Sequence, residues 1–344
     1  MLKSFITAGF SVLSFCFMMQ SNAQIKTLSG KILETKSIDS FIRYQMDSLK
    51  IPALSIAIIQ KGKLIYYKAT GVRNEKHEAI DTATLFEAAS MTKPVFAYAV
   101  HKLIQQGKLS LDTPLYRYYP YNDISYDDRY KLITARMVLD HTTGFPNWRD
   151  GRELTIGSDP GTNYGYSGEG YVYLGFVVSH LIHKPIEDIT NQEVFRPLGI
   201  RNSYLIENKY VLDHLADGKK DNKEWGRNGP WQGPNVASSL RTEAKEYAKF
   251  VIELMRENRS SGTVFQQMSV PQMKIDSNKW VCLGIFMEQT PYGIAYSHGG
   301  NNNNRYNSNF KFYKDHDLGY VFFMNCHQEQ ALTKRLDKFL ETAK

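Results

Sequence analysis

An α/β sandwich is the fold class this sequence predicts: a mostly antiparallel sheet flanked by helices, interrupted by a mostly helical inserted domain. Three observations lead there. Strand-like runs lie near both ends of the chain, around residues 52–71 and 279–325. Between them runs a long stretch rich in Gly, Pro, Tyr and Asn, with short helical patches. The chain has 344 residues, more than one core usually organises. Strands that open and close a chain while helices and loops fill its middle imply one sheet completed by both termini. The sandwich is expected to take residues 24–115 and 241–344, and the insertion residues 116–240.

The elements follow in order. Residues 1–23 carry Lys3, an apolar stretch of signal-peptide length and a small-x-small ending at Ser21-Asn-Ala23. They predict export with cleavage after Ala23, because the apolar run is short for a membrane span. Bulky Phe15 before Cys16 argues against lipid attachment there. A periplasmic or secreted protein with no stable membrane insertion is the expectation. "IDSFIRYQMDSL" reads as an amphipathic helix, and "PALSIAIIQKGKLIYYKATG" as a hairpin turning at Lys61-Gly62. In "AYAVHKLIQQGKL", Ala97, Val100, Leu103 and Ile104 have helical spacing and Gly107 supplies the stop. "YVYLGFVVSHLI" is a helical patch within the insertion, and "EAKEYAKFVIELM" a longer helix after it. "KWVCLGIFMEQ", "GIAYSH", "SNFKFYK" and "LGYVFFMN" read as a strand meander, closed by a helix in "EQALTKRLDKFLETA".

Composition narrows the function. Lysines and arginines number 42 against 35 acids, a net +7, but they are interspersed rather than gathered into a stripe. Nucleic-acid binding is therefore not expected; the charge serves solubility, with a mild attraction to anionic envelope polymers. Beyond Cys16, only Cys282 and Cys326 remain, in separate strand-like segments, and both are expected to be free buried thiols. No Cys or His cluster has metal-ligand spacing, and no cofactor or metal is called for.

The chemistry centres on "FEAASMTKPVF". Ser90 and Lys93 are three residues apart, so a helix puts them on one face. A lysine buried there loses hydration, its pKa falls toward neutrality, and a neutral amine beside a hydroxyl is a base beside a nucleophile. Pro94 falls in the first helical turn, where a missing donor is tolerated. The same spacing recurs at Ser308-Asn-Phe-Lys311, but Phe310 and Phe312 alternate with polar residues there. That is strand periodicity, which sends Ser308 and Lys311 to opposite faces, and this copy is expected to be inert. Two further stretches can complete a site: Tyr166 in a Gly-rich turn before a helix, and His298 at a strand end followed by two glycines.

Taken together, Ser90-Met-Thr-Lys93, Tyr166-Ser-Gly168 and His298-Gly-Gly300, with the segments "GKLSLDTPLYRYYP" and "LDHTTGFP", resemble the serine β-lactamase-related family over nearly all of the mature chain. That family holds class C β-lactamases, D,D-peptidases, D-aminopeptidases and esterases, and is penicillin-binding-protein-like with a β-lactamase/transpeptidase fold. The resemblance implies Ser90 as the acylated nucleophile, Lys93 as the base taking its proton, and Tyr166 as the donor to the leaving group and a helper in deacylation. It places the N–H groups of Ser90 and of Asn301, just after His298-Gly-Gly300, in the oxyanion hole, with His298 facing Tyr166 across the cleft. Tyr164 is a neighbouring alternative to Tyr166. His141 corresponds to a structural position, and Arg305 is a secondary candidate for a substrate carboxylate.

Two departures narrow the substrate. Gly168 stands where the family has an asparagine that holds a substrate amide, and His298 where it has a lysine. Both weaken recognition of anionic amides and favour esters or small unusual amides. His298 is expected to put an ionisation near neutral pH into the rate profile. The function expected is an exported serine hydrolase acting through an acyl-enzyme on a small or peptide-like acyl substrate. The alternatives are a cell-wall D,D-peptidase or class C-type β-lactamase, and a non-catalytic penicillin-binding sensor.

Overall fold

A computed structural model of the chain describes residues 24–229 and 233–343. The predicted leader and Cys16 lie outside the described residues. The centre of the fold is an eight-stranded antiparallel sheet. Its strands in chain order are β1 (Ala53–Gln60), β2 (Lys63–Gly71), β3 (Met273–Asp276), β4 (Lys279–Val281), β5 (Phe286–Thr290), β6 (Gly293–Asn302), β7 (Tyr306–Tyr313) and β8 (Leu318–Met324). In space the order is β2-β1-β8-β7-β6-β5-β4-β3, so the early hairpin docks against the last strand. Described residues 116–240 add no strand to this sheet.

Every residue of β1 is buried, and its side chains serve two cores. Ala53 and Ala57 face one core, and Leu54, Ile56 and Ile58 the other. A continuous apolar run is what a central strand covered on both faces requires. The second core is closed by α1 (Thr35–Leu49) through Ile38 and Ile42, and by the C-terminal helix through Leu332, Leu336 and Phe339. The first core holds α2 (Thr92–Gln105), α3 (Gly168–Ile182) and α4 (Ala244–Glu257); the C-terminal helix, Glu329–Thr342, is α5. Glu243 caps α4, its carboxylate accepting from the N–H groups of Lys245 and Glu246 at 2.8 Å each. The β1–β2 turn falls at Lys61-Gly62, where φ of 53° and 70° suits the tight hairpin turn.

Three local readings need correction. "KWVCLGIFMEQ" is not one strand but β4 and β5, parted by a turn in which the Cys282 N–H donates to the Ile285 carbonyl at 2.9 Å. Gly284 turns there with φ of 107°, and a Cβ on it would lie 2.3 Å from that of Ala97, so α2 can approach only over a glycine. His298 is not at a strand end. β6 runs on to Asn302, and the turn falls at Asn303-Asn304, both left-handed, a conformation asparagine tolerates. Ser90 lies in a short 3₁₀ turn, Ala89–Met91, immediately before α2. The charged "DGKKDNKE" segment forms a small hairpin of Gly218–Lys220 with Glu224–Gly226.

Cys282 and Cys326 are free and buried. Among the described residues no helix is long and apolar enough to cross a membrane.

Candidate active site

Ser90 is delivered by a strained turn. Ala89 has φ of 50°, unusual for a residue with a Cβ. The Thr92 hydroxyl donates to the Ala89 carbonyl at 2.7 Å and accepts from the Leu240 N–H at 3.0 Å, fixing the turn from both sides. Strand β6 passes very close to it. A Cβ on Gly300 would lie 2.3 Å from the Ala88 carbonyl oxygen and 2.4 Å from the Ser308 hydroxyl, so only glycine fits.

Lys93 is fully buried. Its ammonium donates to the Ala237 carbonyl at 2.9 Å and stands 3.3 Å from the Ser90 hydroxyl. Tyr166 presents its ring face 4.7 Å from Nζ. The two hydrogen bonds of Lys93 run to neutral oxygens, and burial alone lowers the Lys93 pKa to about 7. The amine is thus available as a base near neutral pH.

Tyr166 and His298 complete the cluster. Burial raises the Tyr166 phenol above its ordinary range, only partly offset by a hydrogen bond with Ser90, so it stays protonated and can donate. His141 holds the tyrosine's turn: its Nδ1 accepts from the Ser167 N–H at 3.1 Å, its carbonyl from the Gly165 N–H at 2.8 Å, and its ring lies 4.3 Å from that of Tyr166. His298 is 3% exposed, and burial with the nearby Lys93 cation lowers its pKa to about 3. A carbonyl can only accept, so the 2.8 Å contact between His298 Nδ1 and the Gly299 oxygen places the proton on Nδ1 and leaves Nε2 a bare acceptor. The expectation of a His298 ionisation near neutral pH is therefore revised: desolvation keeps this imidazole neutral, and the neutral-range ionisation belongs to Lys93.

Ser90, Tyr166, His298, Gly300 and Asn301 all line one cavity of about 940 Å³, with Lys93 behind its wall. A family model described as Beta-lactamase matches residues 38–342. The chain belongs to the Beta-lactamase family. Among relatives, "Protein flp" of Staphylococcus aureus (strain MW2) is 24% identical over 202 residues, covering 53% of this chain and 41% of that protein. A "Putative D-alanyl-D-alanine carboxypeptidase" of Escherichia coli (strain K12) is 27% identical over 199 residues, covering 48% and 46%. The chain spans less than half the length of these two relatives. A structure described as a class C beta-lactamase superposes with a TM-score of 0.78 at 18% identity, covering 90% of this chain and 96% of that one. The octameric penicillin-binding protein homologue from Pyrococcus abyssi gives 0.77 at 20%, covering 91% and 78%. These structures share the β-lactamase/transpeptidase fold with this chain.

Within this Beta-lactamase-family site, Gly168 has a specific cause. It begins α3, and a Cβ on it would fall 2.5–2.8 Å from three atoms of the Trp148 ring. Its N–H donates to Asn147, to the backbone oxygen at 3.0 Å and to Oδ1 at 3.1 Å. An indole thus occupies the space a side chain at 168 would need. Arg305 does not reach the cavity; its Nη1 donates to the carbonyls of Gly218 and Glu224 at 3.0 Å, anchoring the small hairpin. Tyr164 is not in the lining either; Tyr166 is the tyrosine that both lines the cavity and lies beside Lys93. Sequence reasoning missed Asn147, Trp148, Phe286 and Glu329, all in the lining. Only Trp148, one of four tryptophans and two residues past "LDHTTGFP", left a signal to follow.

Proposed function

We propose that this Beta-lactamase-family protein is an exported serine hydrolase that forms an acyl-enzyme at Ser90 with ester or small amide substrates. The observation that carries this is Lys93: a fully buried amine, 3.3 Å from a serine hydroxyl, held near neutrality by desolvation. A pure binding protein has no use for such a base. In the proposed cycle Ser90 Oγ adds to the substrate carbonyl carbon while its proton passes to Lys93. The oxyanion is held by the N–H groups of Ser90 and Asn301. Tyr166 protonates the departing oxygen or nitrogen, the C–O or C–N bond breaks, and water later releases the acyl group. Trp148 beside Gly168 supports the substrate class, since an apolar ring stands where an amide-binding side chain would project. Export rests on the leader-like residues 1–23, and a secreted product beginning at Gln24 would show it.

Intact-mass measurement after exposure to an activated short-chain ester, and separately to a penicillin, tests the reading. The wild type should gain the acyl mass from the ester and less from the penicillin, and Ser90→Ala neither. An adduct that persists in Ser90→Ala would place the nucleophile elsewhere.

A further inference from the structure

We propose that Glu329 gives the cleft a charge preference, favouring substrates with a cationic group, of the ammonium type, over those with a carboxylate. Glu329 opens helix α5 and lines the same cavity as Ser90. Its carboxylate is fixed there: Oε1 accepts from Asn309 Nδ2 and, at 3.1 Å, from the Thr333 hydroxyl. Both donors are neutral, so neither cancels its charge. Oε1 stands 3.6 Å from the point a Cβ on Gly299 would occupy, so no side chain at 299 comes between the carboxylate and the cavity that both residues line. The half-buried position screens Glu329 less than bulk water would. The other charged side chain in the lining, Lys220, belongs to an exposed residue. A second observation points the same way. Trp148, Tyr166 and Phe286 present aromatic rings to this cavity, and ring faces attract cations. A carboxylate lying over Gly299 meets a like charge; an ammonium meets an opposite one.

The inference takes from the hydrolase reading only where the substrate sits, and its test does not need turnover. Ser90→Ala protein is titrated calorimetrically with two matched ester series. In one the alcohol part carries trimethylammonium, tert-butyl or carboxylate; in the other the acyl part does. In at least one series the cation should bind about tenfold tighter than the carboxylate, as a half-screened charge contact supplies. Which series responds tells which half of the substrate lies over Gly299. Adding Glu329→Gln, which keeps an oxygen for Asn309 and Thr333, should bring that ratio toward one, with an unchanged thermal melt as the folding control. Equal binding in both series overturns the proposal. So does a carboxylate preference, or a cation preference that survives Glu329→Gln. Failure of the hydrolase reading shows separately, as wild-type protein whose mass the esters do not change.

Discussion

The chain carries Ser-x-x-Lys twice, and the two copies share a spacing but almost nothing else. Ser90 and Lys93 lie across a 3₁₀ turn and the first residues of a helix, 3.3 Å apart, with the lysine desolvated and its pKa lowered to about 7. Ser308 and Lys311 lie on strand β7 and face opposite ways. The Ser308 hydroxyl donates to the Ala88 carbonyl at 2.8 Å, on the Ser90 side of the sheet. Lys311 turns to Glu288 and Asp337, at 3.1 and 3.0 Å. Burial pulls the Lys311 pKa down, but those two carboxylates outweigh it and the net shift is upward. A motif is thus a statement about backbone: the helical turn makes a base, the strand makes a clamp and an ion pair.

The largest separation should appear in acylation rate. Lys93→Ala should slow ester acylation roughly 10²–10⁴-fold, the usual worth of a positioned acid–base group. Lys93→Arg should not restore it, since guanidinium stays protonated. Lys311→Ala should leave acylation within a fewfold of wild type. Stopped-flow adduct formation on the three variants reads this; an active Lys93→Arg would make the residue an electrostatic anchor rather than a base.

The pH profile sharpens the same contrast. Lys93 accepts a proton only when neutral, so acylation should fall about tenfold per pH unit below about 7 and level off above it. His298, already neutral throughout that range, should contribute no step. His298→Gln should lower the plateau without moving the inflection. An inflection that moves in His298→Gln and survives in Lys93→Ala would reassign the ionisation.

Stability should move in opposite directions for the two lysines. The folded pKa of Lys93 is about 7 against 10.5 for a free lysine, so the unfolded chain binds the extra proton between those values. Its burial costs stability, in full below pH 7 and progressively less as pH rises toward 10.5. Lys93→Met should stabilise the fold at pH 6 by on the order of a few kcal/mol, and the gain should shrink at higher pH. Lys311 is the reverse: a raised pKa gives stability present below its unfolded pKa and lost as pH climbs through the folded one. Lys311→Met should destabilise by about 1–3 kcal/mol, since it leaves two partly exposed carboxylates facing each other. Urea titrations at pH 6 and 9 would show both signs.

Much of this was legible beforehand, and the rest was not for identifiable reasons. Periodicity separated the two motif copies because helical and strand patterns differ within a few residues of each. Helices α1, α4 and α5 and the β1–β2 turn could be read for the same reason: their signals are local. The break at Gly284 was invisible because its cause is Ala97, nearly two hundred positions away. The Ala237 carbonyl that holds Lys93 and the indole that confines Gly168 are likewise tertiary facts. His298 was misplaced at a strand end because asparagines read as loop, whereas the first two continue β6 and only the last two make its turn.

The smallest expected effect tests whether the second copy is merely scaffold. Ser308 is fully buried and its hydroxyl reaches the carbonyl of Ala88, two residues before Ser90. That carbonyl also accepts from the Met91 N–H at 3.1 Å, so losing the hydroxyl does not leave it unpaired. Ser308→Ala should therefore cost only about 0.5–1.5 kcal/mol of stability, the net value of one neutral hydrogen bond. Acylation should drop by a fewfold at most, because the Thr92 and Leu240 contacts still hold the turn. The inflection near pH 7 should stay in place, since Lys93 keeps its surroundings. The decisive comparison is Ser308→Ala against Lys93→Ala under identical ester and pH. If the two slow acylation equally, the strand copy is part of the machinery and the contrast between the motifs collapses. A small loss of stability with acylation nearly intact leaves Ser308 as a strut beneath the nucleophile.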